Sequence, residues 1–211
     1  MMSILIGIAY KNFGCLASDS REMDTDGHIV KEDAQKIFQV HSSLAVGAVG
    51  NAQIDQAVFS AVQFKASDTF GRLSLDGCIE AVKDALQAFC NHPDKIKISP
   101  ATQVMILGLD QEQNFCLCAL TMTENFQLES AILSSGGVRC PVLIAPPPDI
   151  PRESVHQEIS AMQDLVRQSI ETDEENKVLD RVQQVVLRTA AQSRYVNSRC
   201  QLLHLTTNLD L

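Results

Sequence analysis

The chain has no tryptophan and only two tyrosines in 211 residues, so it lacks the aromatic surfaces on which single-stranded nucleic acids stack. Positive charge is scarce too: 17 Lys and Arg face 26 Asp and Glu, for a formal net charge of −9 and a pI near 4.9. That balance argues against nucleic acid or an anionic membrane as the main partner. No apolar run approaches the ~20 residues needed to span a bilayer, and the start lacks the basic and long apolar regions of a signal peptide, which points to a cytoplasmic protein. Flexible linkers, repeats and low-complexity stretches are absent as well. Residues 1–211 are therefore read as a single domain, long enough to bury a sizeable core.

Metal-ligand spacing is also missing. The five histidines, His28, His41, His92, His156 and His204, are scattered. The seven cysteines, an odd number, sit mostly in apolar runs such as residues 115–120. Strand alternation there turns Cys116 and Cys118 to one face, with no second pair or neighbouring histidine to complete four ligands. Reduced core thiols are the expectation, with no metal and no cofactor.

What the chain does contain is a series of short apolar runs in a definite order. Residues 3–10 and 13–19 read as a hairpin turning at Lys11-Asn12. A turn cluster at residues 24–27 leads to an extended piece, 28–31, and then to strands at 36–40 and 42–50. Asn51 is a plausible N-cap for a helix over 52–66 with Ile54, Val58, Ala61 and Val62 on one face, and a second helix follows Ser74 over 75–91. Runs at 102–109, 115–122 and 126–133, joined by polar turns, predict an antiparallel meander. The prolines around 140–148 exclude a central strand and leave a loop or an edge. Two further amphipathic helices follow, one carrying Val155 to Ile170 and one opening at the acidic cluster 173–175, before a last strand at 201–207. Strands, two helices, strands, two helices and a strand predict an α+β fold, a four-layer α/β/β/α sandwich of two antiparallel sheets.

Three residues carry chemistry. Ser3 opens the first strand, Asp19 ends the second, and Lys36 enters a later one, an arrangement that can bring a nucleophile and its charge partners to one end of a sheet. Taken singly, each has a plainer reading: a strand-start serine, a turn or ion-pair aspartate, a solvated lysine.

In combination they resemble the proteasome β-type subunits and their bacterial relatives among the N-terminal-nucleophile hydrolases. The resemblance is carried by Ser3 with Ile6-Gly7-Ile8, by Ala17-Ser18-Asp19-Ser20-Arg21, by Lys36-Ile37-Phe38-Gln39-Val40, by Gly47-Ala48-Val49-Gly50-Asn51-Ala52-Gln53 and by Ser134-Ser135-Gly136-Gly137. It implies Ser3 as nucleophile, with Asp19 and Lys36 as its charge partners. It also implies Gly47 as an oxyanion-hole donor and Ser135 as support for the nucleophile's amine. In such enzymes the free α-amine of the nucleophile, with a pKa of roughly 7.7–8.0, takes the proton; here Met1-Met2 must first be removed. Serine stands where the family has threonine. No late aspartate occurs around residues 194–198, where Tyr195-Val196-Asn197 resembles the segment of the ATPase-partner peptidases.

The implied function is a peptidase acting on peptides or unfolded proteins inside a homo-oligomeric ring. A regulatory ATPase and an α-type subunit are the further partners that the family allows. Two alternatives stay open: a non-catalytic subunit of the same fold, and a small-molecule amidase, because fold does not dictate substrate.

Overall fold

The computed structural model describes residues 3–24, 26, 28–91, 102–123, 125–134, 140–172 and 174–207. They form an α+β structure with two large antiparallel sheets, a small hairpin and four helices. β1 (Leu5–Tyr10) and β2 (Phe13–Asp19) pair in the register Leu5↔Ser18 to Tyr10↔Phe13, so Lys11-Asn12 is a two-residue turn. Lys11 takes φ 46° there, the left-handed backbone that such tight hairpin connections require. β3 (Glu22–Met23) and β4 (Ile29–Lys31) make the small hairpin. β5 (Ile37–His41), β6 (Leu44–Val49), β7 (Thr102–Leu109), β8 (Phe115–Met122) and β9 (Leu128–Ser134) follow one another across the five-stranded sheet. β10 (Val142–Ala145) and β11 (Cys200–Thr206) flank the first hairpin in the order β10-β1-β2-β11.

β10 is an edge strand, one of the two alternatives that the prolines left. Among the described residues it pairs with β1 alone, and Pro141 and Pro146 bracket it where a ladder amide is not needed. β3 carries no apolar alternation and was not anticipated.

The long uninterrupted apolar runs have a physical explanation: the strands are covered on both faces. Ile4, Ile6 and Ile8 join Phe13, Cys15 and Ala17 in a core shared with α3 (Arg152–Glu171) and α4 (Glu175–Gln192). Their alternate neighbours Leu5, Ala9 and Leu16 meet Ala45, Met105, Leu107 and Leu117 between the two sheets. On the far side, Val46, Ala48, Ile106 and Leu120 pack with Ile54, Val58 and Val62 of α1 (Ala52–Asp68) and with Ile79, Val82 and Leu86 of α2 (Leu75–Cys90). Side chains alternate with period two, so each strand serves two cores at once.

Helix starts follow local chemistry. The Asn51 carboxamide accepts from the Gln53 and Ile54 amides, and the Ser74 hydroxyl accepts from Gly77. All seven cysteines are free thiols, six of them buried. Among the described residues no helix is long and apolar enough to cross a membrane.

Candidate active site

The β1–β2 register carries Asp19 back to the residue from which β1 starts. The Ile4 amide donates to Asp19 Oδ1 at 3.3 Å, and Ser18 Oγ donates to the Ile4 carbonyl at 2.7 Å. Lys36 arrives from the other sheet, one residue before β5. Its backbone is held from both sides: its amide donates to Gln201 Oε1 at 3.0 Å, and its carbonyl accepts from the Ala48 amide at 2.9 Å. Gln201 also donates through Nε2 to the Ala34 carbonyl, so β11 clasps the segment leading into β5.

These backbone constraints bring three side chains together. Lys36 Nζ donates to Ser3 Oγ at 2.5 Å, to Asp19 Oδ1 at 3.0 Å and to the Arg21 carbonyl. An ammonium has three N–H donors, and the three oxygens around Nζ can accept one each, so the arrangement accommodates the protonated form. Asp19 is fully buried, while Ser3 and Lys36 are each only 6% exposed. Burial pulls the Lys36 ammonium below the ordinary lysine range, and the charge and hydrogen bond of Asp19 act against that pull.

Asp19 is held by more than the lysine. Its Oδ2 accepts from the Arg21 amide at 2.9 Å and the Asn197 amide at 3.4 Å. Asn197 had no role in the sequence reading beyond lying in a segment similar to the family's. Its side chain bridges Ser20, whose amide donates to Asn197 Oδ1 at 3.1 Å, and Glu32, which accepts at Oε2 from Nδ2 at 2.6 Å. Arg21 closes this outer ring with an ion pair to Glu32 at 3.0 Å. The Asn197 hydrogen bond and then the Arg21 guanidinium hold the Glu32 carboxyl below its usual range. Asn197 thus meets Asp19 through its backbone amide and joins that contact to Ser20 and Glu32 through its side chain.

Gly47 is not on this site. It lies inside β6, paired with Ile37 on one side and Met105 on the other. The amides of an internal antiparallel strand alternate between its two neighbours, so none is left to face a cavity. A Cβ there would come within 2.8 Å of Leu5 Cδ1; the glycine lets the two sheets approach. Gly50, three residues on, is the glycine of this segment that does reach the site. It has φ 144° at the turn from β6 into α1 and lines the cavity beside Ser3. Ser135 falls outside the described residues.

The cavity has a volume of about 270 Å³ and is walled by Ser3, Lys36, Gly50, Ala52 and Asp55 together with the start of the β3–β4 hairpin. Asp55 is a second residue that the sequence reading passed over. It sits in the first turn of α1, next to Ile54 on the apolar stripe, and its Oδ1 is buried without a hydrogen-bond partner among the described residues. Burial pushes its carboxyl up to about 8; Lys36 acts against the rise and Glu22 adds to it. A carboxylate flanking the buried face of a helix is the sequence signal that could have found it.

Two other features are chemically quieter. A cavity of about 380 Å³ beneath Pro146 and Pro147 contains Glu158, but this carboxylate is already paired with Arg181 at 2.7 Å and Arg188 at 3.0 Å. Asp24, Asp26 and His28 lie close enough to share a metal ion at the tip of the β3–β4 hairpin. Asp24 already accepts from the Asp26 and His28 amides and from the His28 ring, as the organiser of a turn does.

No protein-family model matches the chain, and no curated protein matches it.

Proposed function

We propose that the chain is a proteasome-like N-terminal-nucleophile peptidase with a serine nucleophile, built as the four-layer α/β/β/α sandwich of that class. The observation that carries this reading is the Lys36 ammonium bridging Ser3 Oγ and Asp19 Oδ1 on the wall of an accessible cavity. The three successive cores, helix to sheet, sheet to sheet and sheet to helix, support the layering.

In this reading the mature chain starts at Ser3. The freed α-amine takes the proton from Ser3 Oγ as the oxygen attacks the scissile carbonyl, and then delivers it to the departing amine. Lys36 lowers the energy of the alkoxide through its charge, and Asp19 keeps Lys36 protonated and aimed against the cost of burial. The backbone at Gly50, rather than Gly47, donates to the oxyanion. Water then hydrolyses the acyl-enzyme with the same amine as base. Assembly into a ring, a cytoplasmic location and a partner ATPase or α-type subunit belong to the same proposal.

A second reading, a non-catalytic subunit of the same fold, draws on one observation: Lys36 spends all three donors on internal acceptors, as a structural pin would. Intact-mass analysis of purified protein together with turnover of fluorogenic peptides by wild type and Ser3→Ala separates the two. A chain beginning at Ser3 that cleaves peptides, with activity abolished by Ser3→Ala and the fold retained, supports the peptidase. A chain that keeps Met1 and cleaves nothing removes it. Cleavage restricted to small amides would move the assignment to an amidase.

A further inference from the structure

The Ser3 cavity contains an acid with one oxygen left unanswered among the described residues. Asp55 Oδ1 is closed to solvent with no hydrogen-bond partner among the described residues, a condition that few buried polar atoms in native proteins tolerate. The cationic and carboxamide side chains on the same wall have partners elsewhere. Lys36 is shared between Ser3, Asp19 and the Arg21 carbonyl. The Arg21 guanidinium goes to Glu32 and the Arg194 carbonyl, and Lys31 pairs with Asp33. The Gln35 and Gln56 carboxamides donate to the Ile37 carbonyl and to Ser60 Oγ.

Glu22 adds a second carboxyl to this wall, and it makes no ion pair among the described residues. Burial raises the Asp55 carboxyl to about 8; the Lys36 charge acts against the rise and Glu22 adds to it. Met23 and Phe59 complete the wall with apolar surface on which an alkyl stem can lie.

We propose that this cavity takes a substrate residue with a cationic side chain, lysine or arginine, on the acyl side of the bond cut at Ser3, and that Asp55 determines the specificity by receiving its head group. This rests on the hydrolase reading of Ser3. A bound ammonium or guanidinium meets the Asp55 carboxyl where it lines the cavity and faces the Glu22 charge favourably. An aliphatic side chain leaves the carboxyl as it is, and an acidic one adds like charge.

The test is a set of peptide coumarin amides identical except for Arg, Lys, Leu or Glu before the reporter, assayed on the full mature protein. Wild type is expected to turn over the Arg and Lys peptides with kcat/KM about tenfold or more above Leu, and Asp55→Asn to bring the Arg-to-Leu ratio close to one. Using the ratio removes any general loss of active protein. A wild-type preference for Leu or Glu, or a ratio that Asp55→Asn leaves unchanged, overturns the proposal. If no peptide is turned over in a Ser3-dependent way, the hydrolase reading fails by itself. Calorimetric binding of agmatine to wild type and Asp55→Asn then decides the cation site: uptake weakened about tenfold or more by the substitution supports it, whereas no uptake or equal uptake overturns it.

Discussion

Replacing Lys36 by methionine tests the ion pair at the centre of the site without reference to any substrate. Methionine keeps an unbranched stem that can follow the lysine's path, and removes the charge and all three donors. Asp19 is then left fully buried with no cation. Breaking a buried pair by removing one partner commonly costs 3–5 kcal/mol. Here Asp19 still accepts from three backbone amides, Ile4 at 3.3 Å, Arg21 at 2.9 Å and Asn197 at 3.4 Å, and such donors stabilise a carboxylate by themselves. The expected loss is therefore about 2–4 kcal/mol, equivalent to a fall in Tm of about 5–12 °C for a chain of this size. Urea unfolding at constant pH measures it. The cycle with Asp19→Asn supplies the control: the double variant should lose at least about 1 kcal/mol less than the two single losses combined, because the second substitution removes the charge that the first left stranded. A Lys36→Met loss below about 0.5 kcal/mol, or strict additivity in the cycle, would refute the view that the two groups form a desolvated, mutually dependent pair.

Gly47→Ala should destabilise the fold by about 1–2 kcal/mol through the clash with Leu5 Cδ1, and under the proposed hydrolase reading it should leave peptide turnover per folded molecule in place; a turnover loss of about a hundredfold in fully folded protein would return Gly47 to the proposed oxyanion site. Asn197→Ala should cost about 1–3 kcal/mol in urea unfolding, since it strips donors from Glu32 and an acceptor from Ser20. Asp55 predicts a pH dependence whose sign is definite. Its carboxyl is raised from an ordinary 3.8 to about 8 in the folded chain, so between those values the native state holds more protons than the unfolded state, and the stability of wild type is drawn down as pH rises. Asp55→Asn lacks this drain. Its stability relative to wild type should grow from about pH 4 to about pH 8 and level off above, and a difference that shrinks or stays flat across that window contradicts the assignment of a buried, unpartnered acid.

Much of the framework was readable along the chain because it depends on neighbours. Two-residue turn chemistry at Lys11-Asn12 sets the β1–β2 register, and that register alone returns Asp19 to the start of β1. The helix stripes of α1 and α2 and their Asn51 and Ser74 caps are equally local, as is the meander of β7, β8 and β9. Proline at positions 141 and 146 limited β10 to an edge for the same reason: a missing amide is a property of the residue itself.

The site is a different matter, because its decisive contacts join segments far apart in the chain. Gly47 and Gly50 are both glycines of one motif, yet one is consumed by sheet-to-sheet packing against Leu5 and the other is delivered to the cavity by a turn. No local pattern separates them; what does is which strand face meets the opposite sheet. Asn197 meets Ser20 across 177 positions, and Asp55 is made unusual by an oxygen that finds no hydrogen-bond partner among the described residues. Sequence alone determined which segments become strands and helices and that a serine, an aspartate and a lysine sit at their ends. Tertiary packing decided that Ser3 and Asp19 share the Lys36 ammonium, which glycine reaches them and which acid has an oxygen without a partner among the described residues, since desolvation and hydrogen-bond supply are set by everything that folds around a group rather than by the residues beside it.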